Sequence, residues 1–236
     1  MNDPDRIAPG DDLAHIGRTR SLTSHPPSTE GSPFPLEIVQ GPARSDLGTL
    51  VVPGLVRNLS DRWVAVSLRV HLYDGGGREL NATLSTGRPF TATPLNFTLP
   101  PFGSGPFLGV TDESDVEGLA ASCRLTVYSC EEARRRPRAE LRDVVIELGD
   151  DARATGLYVN TGNEDCLYPS VVGAGYTADG ALFTADVTAL GDDEGNALPA
   201  LPPGQARPFV FSFSTLLETG MLTRLELVPG YDSKTV

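Results

Sequence analysis

Apolar and polar residues alternate strictly from Val64 to Tyr73. Val64, Val66, Leu68, Val70 and Leu72 share one parity, and Ala65, Ser67, Arg69, His71 and Tyr73 the other. That is the period of a strand buried on one face. Asp74-Gly75-Gly76-Gly77 follows. These residues tolerate positive φ, so the pattern predicts a hairpin reversal there. Shorter runs of strand character cover Leu36 to Val39, Leu47 to Val56, Arg78 to Ser85, Phe90 to Leu99, Phe107 to Val110 and Cys123 to Tyr128. Pro53 interrupts the second of these and suits an edge strand or a bulge. Pro and Gly (20 and 25 of 236 residues) recur in almost every window where a helix would need to run, which leaves short strands.

The pattern occurs twice. Gly54-Leu55-Val56-Arg57-Asn58 lies 102 residues before Gly156-Leu157-Tyr158-Val159-Asn160, and Leu99-Pro100-Pro101 with Pro106-Phe107 stands at the same offset from Leu201-Pro202-Pro203 with Pro208-Phe209. Between these anchors the Val64–Tyr73 strand aligns with Val171 to Phe183, after a one-residue insertion that sets Tyr73 opposite Tyr176. Arg124 to Val127 aligns with Arg224 to Leu227. Shared spacing and shared residue types at so many points predict a duplication. About seven short strands per copy predict an all-β chain of two tandem immunoglobulin-like antiparallel β-sandwiches. The expected organisation is a disordered tail over residues 1–35, a first sandwich over 36–131, a linker over 132–138 and a second sandwich over 139–232. The tail expectation follows from the scarcity of large apolar residues before Leu36. The linker expectation follows from the charge run Glu131 to Arg138.

Val70-His71-Leu72-Tyr73-Asp74-Gly75, preceded by Gly54 to Ser60 and followed by Leu99-Pro100-Pro101 and Phe107, resembles the FxLYD domain family. Val70 stands where the signature has phenylalanine. The second copy, Ala174-Gly175-Tyr176-Thr177-Ala178-Asp179-Gly180, departs further but keeps the asparagine turn and the proline loop. The resemblance implies immunoglobulin-like sandwiches, usually outside the cytoplasm, and a family without catalytic residues to carry over.

Charge narrows the partners. A net charge of −12, with Lys234 the only lysine, disfavours nucleic acid and anionic membranes. No apolar run approaches the ~20 residues needed to span a bilayer, and Met1 to Ile16 has no apolar core of a signal peptide. The expectation from the residues is therefore a chain without transmembrane segment or export signal, at odds with the location that the resemblance implies. Cys123 and Cys130, seven apart on one strand, are expected on opposite faces and unbonded to each other, with Cys166 free to pair or not.

No order of Ser, His and carboxylate, no P-loop and no H-E-x-x-H predicts catalysis, and the chain reads as a non-enzyme without a required cofactor. Two acidic loops are candidate calcium ligands: Asp112, Glu113, Asp115 and Glu117 in one, Asp192, Asp193 and Glu194 in the other. Neither has the twelve-residue loop of a helical calcium site. Tyr73, His71 and Tyr176 are candidate contacts for a protein partner. The function expected is an interaction or spacer protein that presents end loops and strand edges to such a partner. The alternative is a calcium- or carbohydrate-binding sandwich that uses the acidic loops.

Overall fold

The computed structural model describes residues 19–46, 48–83, 89–96, 98–134, 136, 138–149, 152–192, 194–213 and 221–231. Its regular structure is almost entirely β. In the first half, one sheet runs β1 (Arg20–Ser21), β4 (Arg44–Asp46), β5 (Thr49–Asn58), β10 (Ser104–Asp112), with β3 (Leu36–Gln40) also on β5. The facing sheet runs β2 (Thr23–Ser24), β11 (Ser122–Glu132), β6 (Val64–Tyr73), β7 (Glu79–Leu80), with β8 (Thr91–Ala92) and β9 (Thr98–Leu99) on β6. In the second half β12 (Ala139–Glu147), β13 (Arg153–Asn160) and β18 (Ala206–Ser212) form one sheet. A second joins β16 (Leu182–Ala189), β15 (Ser170–Tyr176) and β19 (Arg224–Gly230), and β14 (Cys166–Leu167) pairs with β17 (Ala200–Leu201). All pairings between strands are antiparallel except β2 with β11.

β6 is the strand that its alternation predicts. Its five inward side chains are 0–3% exposed and sit in the core between the two sheets, each contributing about 2 kcal/mol by leaving water. The hairpin forms as well. Asp74 Oδ1 accepts from the amides of Gly76 and Arg78, Gly77 takes φ 83°, and Tyr73 pairs with Glu79 across the turn.

The two halves use the same internal fastenings. Asn58 is fully buried, and its side-chain amide donates to the carbonyls of Arg62 and Pro100 while its Oδ1 accepts from Ser60. Asn160 is equally buried and donates to Glu164 and Leu201 while accepting from Gly162. In each half a glycine lies under a phenylalanine ring, Gly54 under Phe107 and Gly156 under Phe209. Phe209 and Phe211 enter the second core, and Phe213 packs against it, as their shared parity predicts.

Four expectations need correction. Order begins before residue 36: Leu22 is buried and its amide donates to Ala43, Ser28 donates to Leu125, and β1 and β2 extend the two sheets. Backbone pairing with existing edges holds this stretch although it carries few large apolar residues; the rest of the expected tail, residues 1–18, lies outside the described residues. Pro53 sits in mid-sheet. Its carbonyl faces the jog where β3 leaves β5 and β4 takes over, and Gly41 donates to it there, so the missing N–H leaves no gap in a ladder. Glu132, expected to open the linker, instead still pairs with Val64 at the end of β11. Finally, Cys123 and Cys130 both face the first core. A bulge at Tyr128 adds one residue between Val127 and Ser129 and inverts the parity. All three cysteines are free thiols.

The two halves pack against each other mainly through β16, with β15 beside it. Every residue from Ser170 to Tyr176 is buried. Val171 belongs to the second core, whereas Ala174, Tyr176 and Leu182 form a separate buried cluster. β5 and β10 of the first half lie against β15 and β16. Arg44, 5% exposed, donates to the Phe183 carbonyl at 2.9 Å and lays its guanidinium 4.0 Å over the Phe183 ring. Burial pulls the Arg44 pKa below its ordinary value.

Candidate functional site

The first aspartate of each acidic loop uses its carboxylate locally. Asp112 ends β10 and caps a 3-10 turn over Glu113–Asp115, its Oδ1 accepting from the Ser114 amide at 2.8 Å, a bond that holds its pKa below the usual carboxylate range. Glu113 pairs with Arg20 at 2.8 Å, and Glu117 donates its backbone amide to Asn81. Asp192 Oδ1 accepts from the amides of Asn196 and Glu194, and the first of these bonds leads in lowering its pKa. Asp193 lies outside the described residues. Among the described residues no three His, Cys, Asp or Glu side chains gather in a way that could hold a metal ion. Each loop is a turn stabilised by an aspartate at its first position.

Tyr176 is not placed for a partner. It is 7% exposed, its hydroxyl donates to Glu226 Oε2 at 2.9 Å, and the Arg224 guanidinium lies 4.1 Å from its ring centre. Burial, followed by the bond to the Glu226 carboxylate, pushes its pKa up to about 12. The one-residue insertion that aligns it with Tyr73 hides the difference: Tyr176 lies against the first sandwich, Tyr73 does not. Tyr158 is also internal and donates its hydroxyl to the Gly230 carbonyl at 3.1 Å.

Tyr73 and His71 come together on the outer face of β6. His71 is fixed from both sides, Nδ1 at 2.6 Å from Glu79 and Nε2 at 3.0 Å from Thr126 Oγ1. His25, just after β2, stands edge-on to Tyr73 with ring centres 5.9 Å apart. Cross-strand register sets Arg124 of β11 opposite His71, and Thr126 opposite Arg69. A pocket of about 500 Å³ opens beside these residues, lined by His25, Pro26, Tyr73, Gly77 and Arg124. The alternation of β6 identified His71 and Tyr73. Arg124 and His25 were hidden because pairing, not sequence distance, brings them to this face.

A second surface lies in the other sandwich. β12 is an edge strand, paired only with β13 among the described residues. Ala139 and Leu141 pack on the second core, but Asp143 takes φ 52° and the register shifts between Arg142 and Val145. Past that bulge Val144, Val145, Ile146 and Leu148 are 38–58% exposed. Val145 pairs with Thr155, and Thr155 with Val210, itself 64% exposed, so an apolar row continues from the edge onto the outer face. The signal was available in the sequence: three consecutive β-branched residues give no parity, and charged residues flank them on both sides.

Comparison with known proteins adds little to this geometry. No family model matches the chain, and no curated protein does. Among solved structures the chain is similar to red sea bream transglutaminase, with 13% identity and a TM-score of 0.23 over 85% of this chain and 29% of that one. The chain thus spans less than a third of that protein's length, and a likeness at that TM-score carries no argument about fold or activity.

Proposed function

We propose that this chain is a non-enzymatic interaction protein, built of two duplicated immunoglobulin-like sandwiches of FxLYD type, whose protein partner adds an extended strand to the free edge of β12. The observation that carries the reading is that edge. Val144, Val145 and Ile146 stand exposed on a strand with one side unpaired. Unpaired backbone groups beside apolar side chains are a template for strand addition, which proteins otherwise block with charge, proline or cover. The duplication is supported by the matched fastenings of Asn58 with Asn160 and of Gly54 with Gly156.

The test is capture from a lysate of the source cells with the wild-type chain and with the double variant Val145→Lys and Ile146→Lys. Val145 is mostly and Ile146 partly in water, so the variant should keep its melting temperature within a few degrees. A protein retained by the wild type and lost from the folded variant supports strand addition. Equal retention by both refutes it.

A further inference from the structure

The outer face of the sheet containing β6 and β11 holds two cations that no described residue neutralises. Acidic residues outnumber basic ones by 31 to 19. Arg20 pairs with Glu113, Arg57 with Glu37 and Arg78 with Asp74, while Arg44 is buried over Phe183. Arg69 and Arg124 are exposed and have no ion pair or side-chain hydrogen bond among the described residues. Glu79, on the neighbouring strand β7, is engaged by His71 at 2.6 Å.

Their spacing is informative. Arg124 faces His71 across the ladder and Arg69 is two residues further along β6, so the two arginines are diagonal neighbours with Cβ atoms roughly 7 Å apart. An extended peptide repeats its side chains on one face every second residue, again roughly 7 Å. Arg124 also lines the pocket walled by His25, Pro26, Tyr73 and Gly77. Rings and a proline give that pocket apolar walls, suited to an aromatic or aliphatic side chain.

We infer that this face binds an extended acidic peptide segment with carboxylates at alternate positions, one on Arg69 and the next on Arg124, followed by an apolar side chain in the pocket. Each guanidinium offers a planar fork of donors to a carboxylate. His71, clamped between Glu79 and Thr126, fills the floor between the two arginines and keeps their separation fixed. This surface belongs to the first sandwich and the inference stands independently of strand addition at β12.

The experiment is fluorescence anisotropy of the full chain with labelled synthetic peptides. One carries Glu-Ser-Glu-Ser-Phe, the second Glu-Ser-Ser-Ser-Glu-Phe and the third Lys-Ser-Lys-Ser-Phe. The first should bind best, and its affinity should drop about tenfold for Arg124→Ala and for Arg69→Ala, with less loss for Arg124→Lys. Tyr73→Ala should weaken the Phe-containing peptide but not its Ala analogue. Melting temperatures of these surface variants verify folding. Equal binding of the first two peptides, binding of the lysine peptide, displacement by an equal concentration of inorganic phosphate, or indifference to both arginine truncations would each overturn the inference.

Discussion

Truncating the buried asparagines tests the account of the fold most directly. Asn58→Ala removes two short donor bonds, to the carbonyls of Arg62 at 2.6 Å and Pro100 at 2.9 Å. It also removes two acceptor bonds, from the Ser60 amide at 3.0 Å and the Ser60 hydroxyl at 2.7 Å. At about 1 kcal/mol each the loss is roughly 4 kcal/mol, because the groups left behind are largely shielded from water. Asn160→Ala removes two donor bonds and one acceptor bond, to Glu164, Leu201 and Gly162, so its cost is roughly 3 kcal/mol. Urea unfolding followed by far-ultraviolet circular dichroism reads both as shifts of midpoint at constant slope. Asn58→Asp sharpens the test. It has the same size as asparagine but sets a carboxylate against two carbonyl oxygens, so it should cost at least as much as alanine. Losses below about 1 kcal/mol for both alanine variants, or a harmless Asn58→Asp, would refute the claim that these residues act through hydrogen bonds.

Three further outcomes follow from the packing. Gly54→Ala would drive a methyl group deep into the Phe107 ring and to within 2.8 Å of the Val39 carbonyl, whereas Gly156→Ala meets the Phe209 ring and the Arg142 carbonyl no closer than 2.9 Å. The first should lower the melting temperature distinctly more than the second. Tyr176 deprotonates at about 12 in the folded chain and near 10 when unfolded. Its contribution is therefore complete below pH 10 and disappears as pH climbs to 12. Melting curves across pH 9 to 12 should fall in this window, less steeply for Tyr176→Phe. Arg44→Ala removes the bond to Phe183 and the cation lying over its ring, and hydrogen exchange in β16 should accelerate while exchange at the centre of β6 stays slow.

What could be read from the chain divides by the range of the interaction. β6 was legible because each of its side chains has one environment for the whole strand, so parity alone sorts Val64 to Leu72 inward. β15 was not. Val171 to Tyr176 is buried on both sides by two different neighbours, and a nearly continuous apolar run carries no parity to read. The paired thiol positions failed for a local reason: the bulge at Tyr128 adds one residue, and period-two counting cannot survive an insertion. Order over residues 19–35 escaped notice because backbone hydrogen bonds to existing strands, which composition does not record, supply most of it. Of the candidate surface, His71 and Tyr73 followed from alternation, while Arg124 and His25 depend on which strand lies beside β6.

The double burial of β15 has a consequence for any partner large enough to touch both halves. With β5 and β10 packed against β16 and β15, the span between the β12 edge and the arginine face is set by that packing and not by a tether alone. A ligand carrying two matching elements at that span would gain a high effective concentration for its second contact; one with the elements a few residues closer would gain none. The molecule would then act as a ruler.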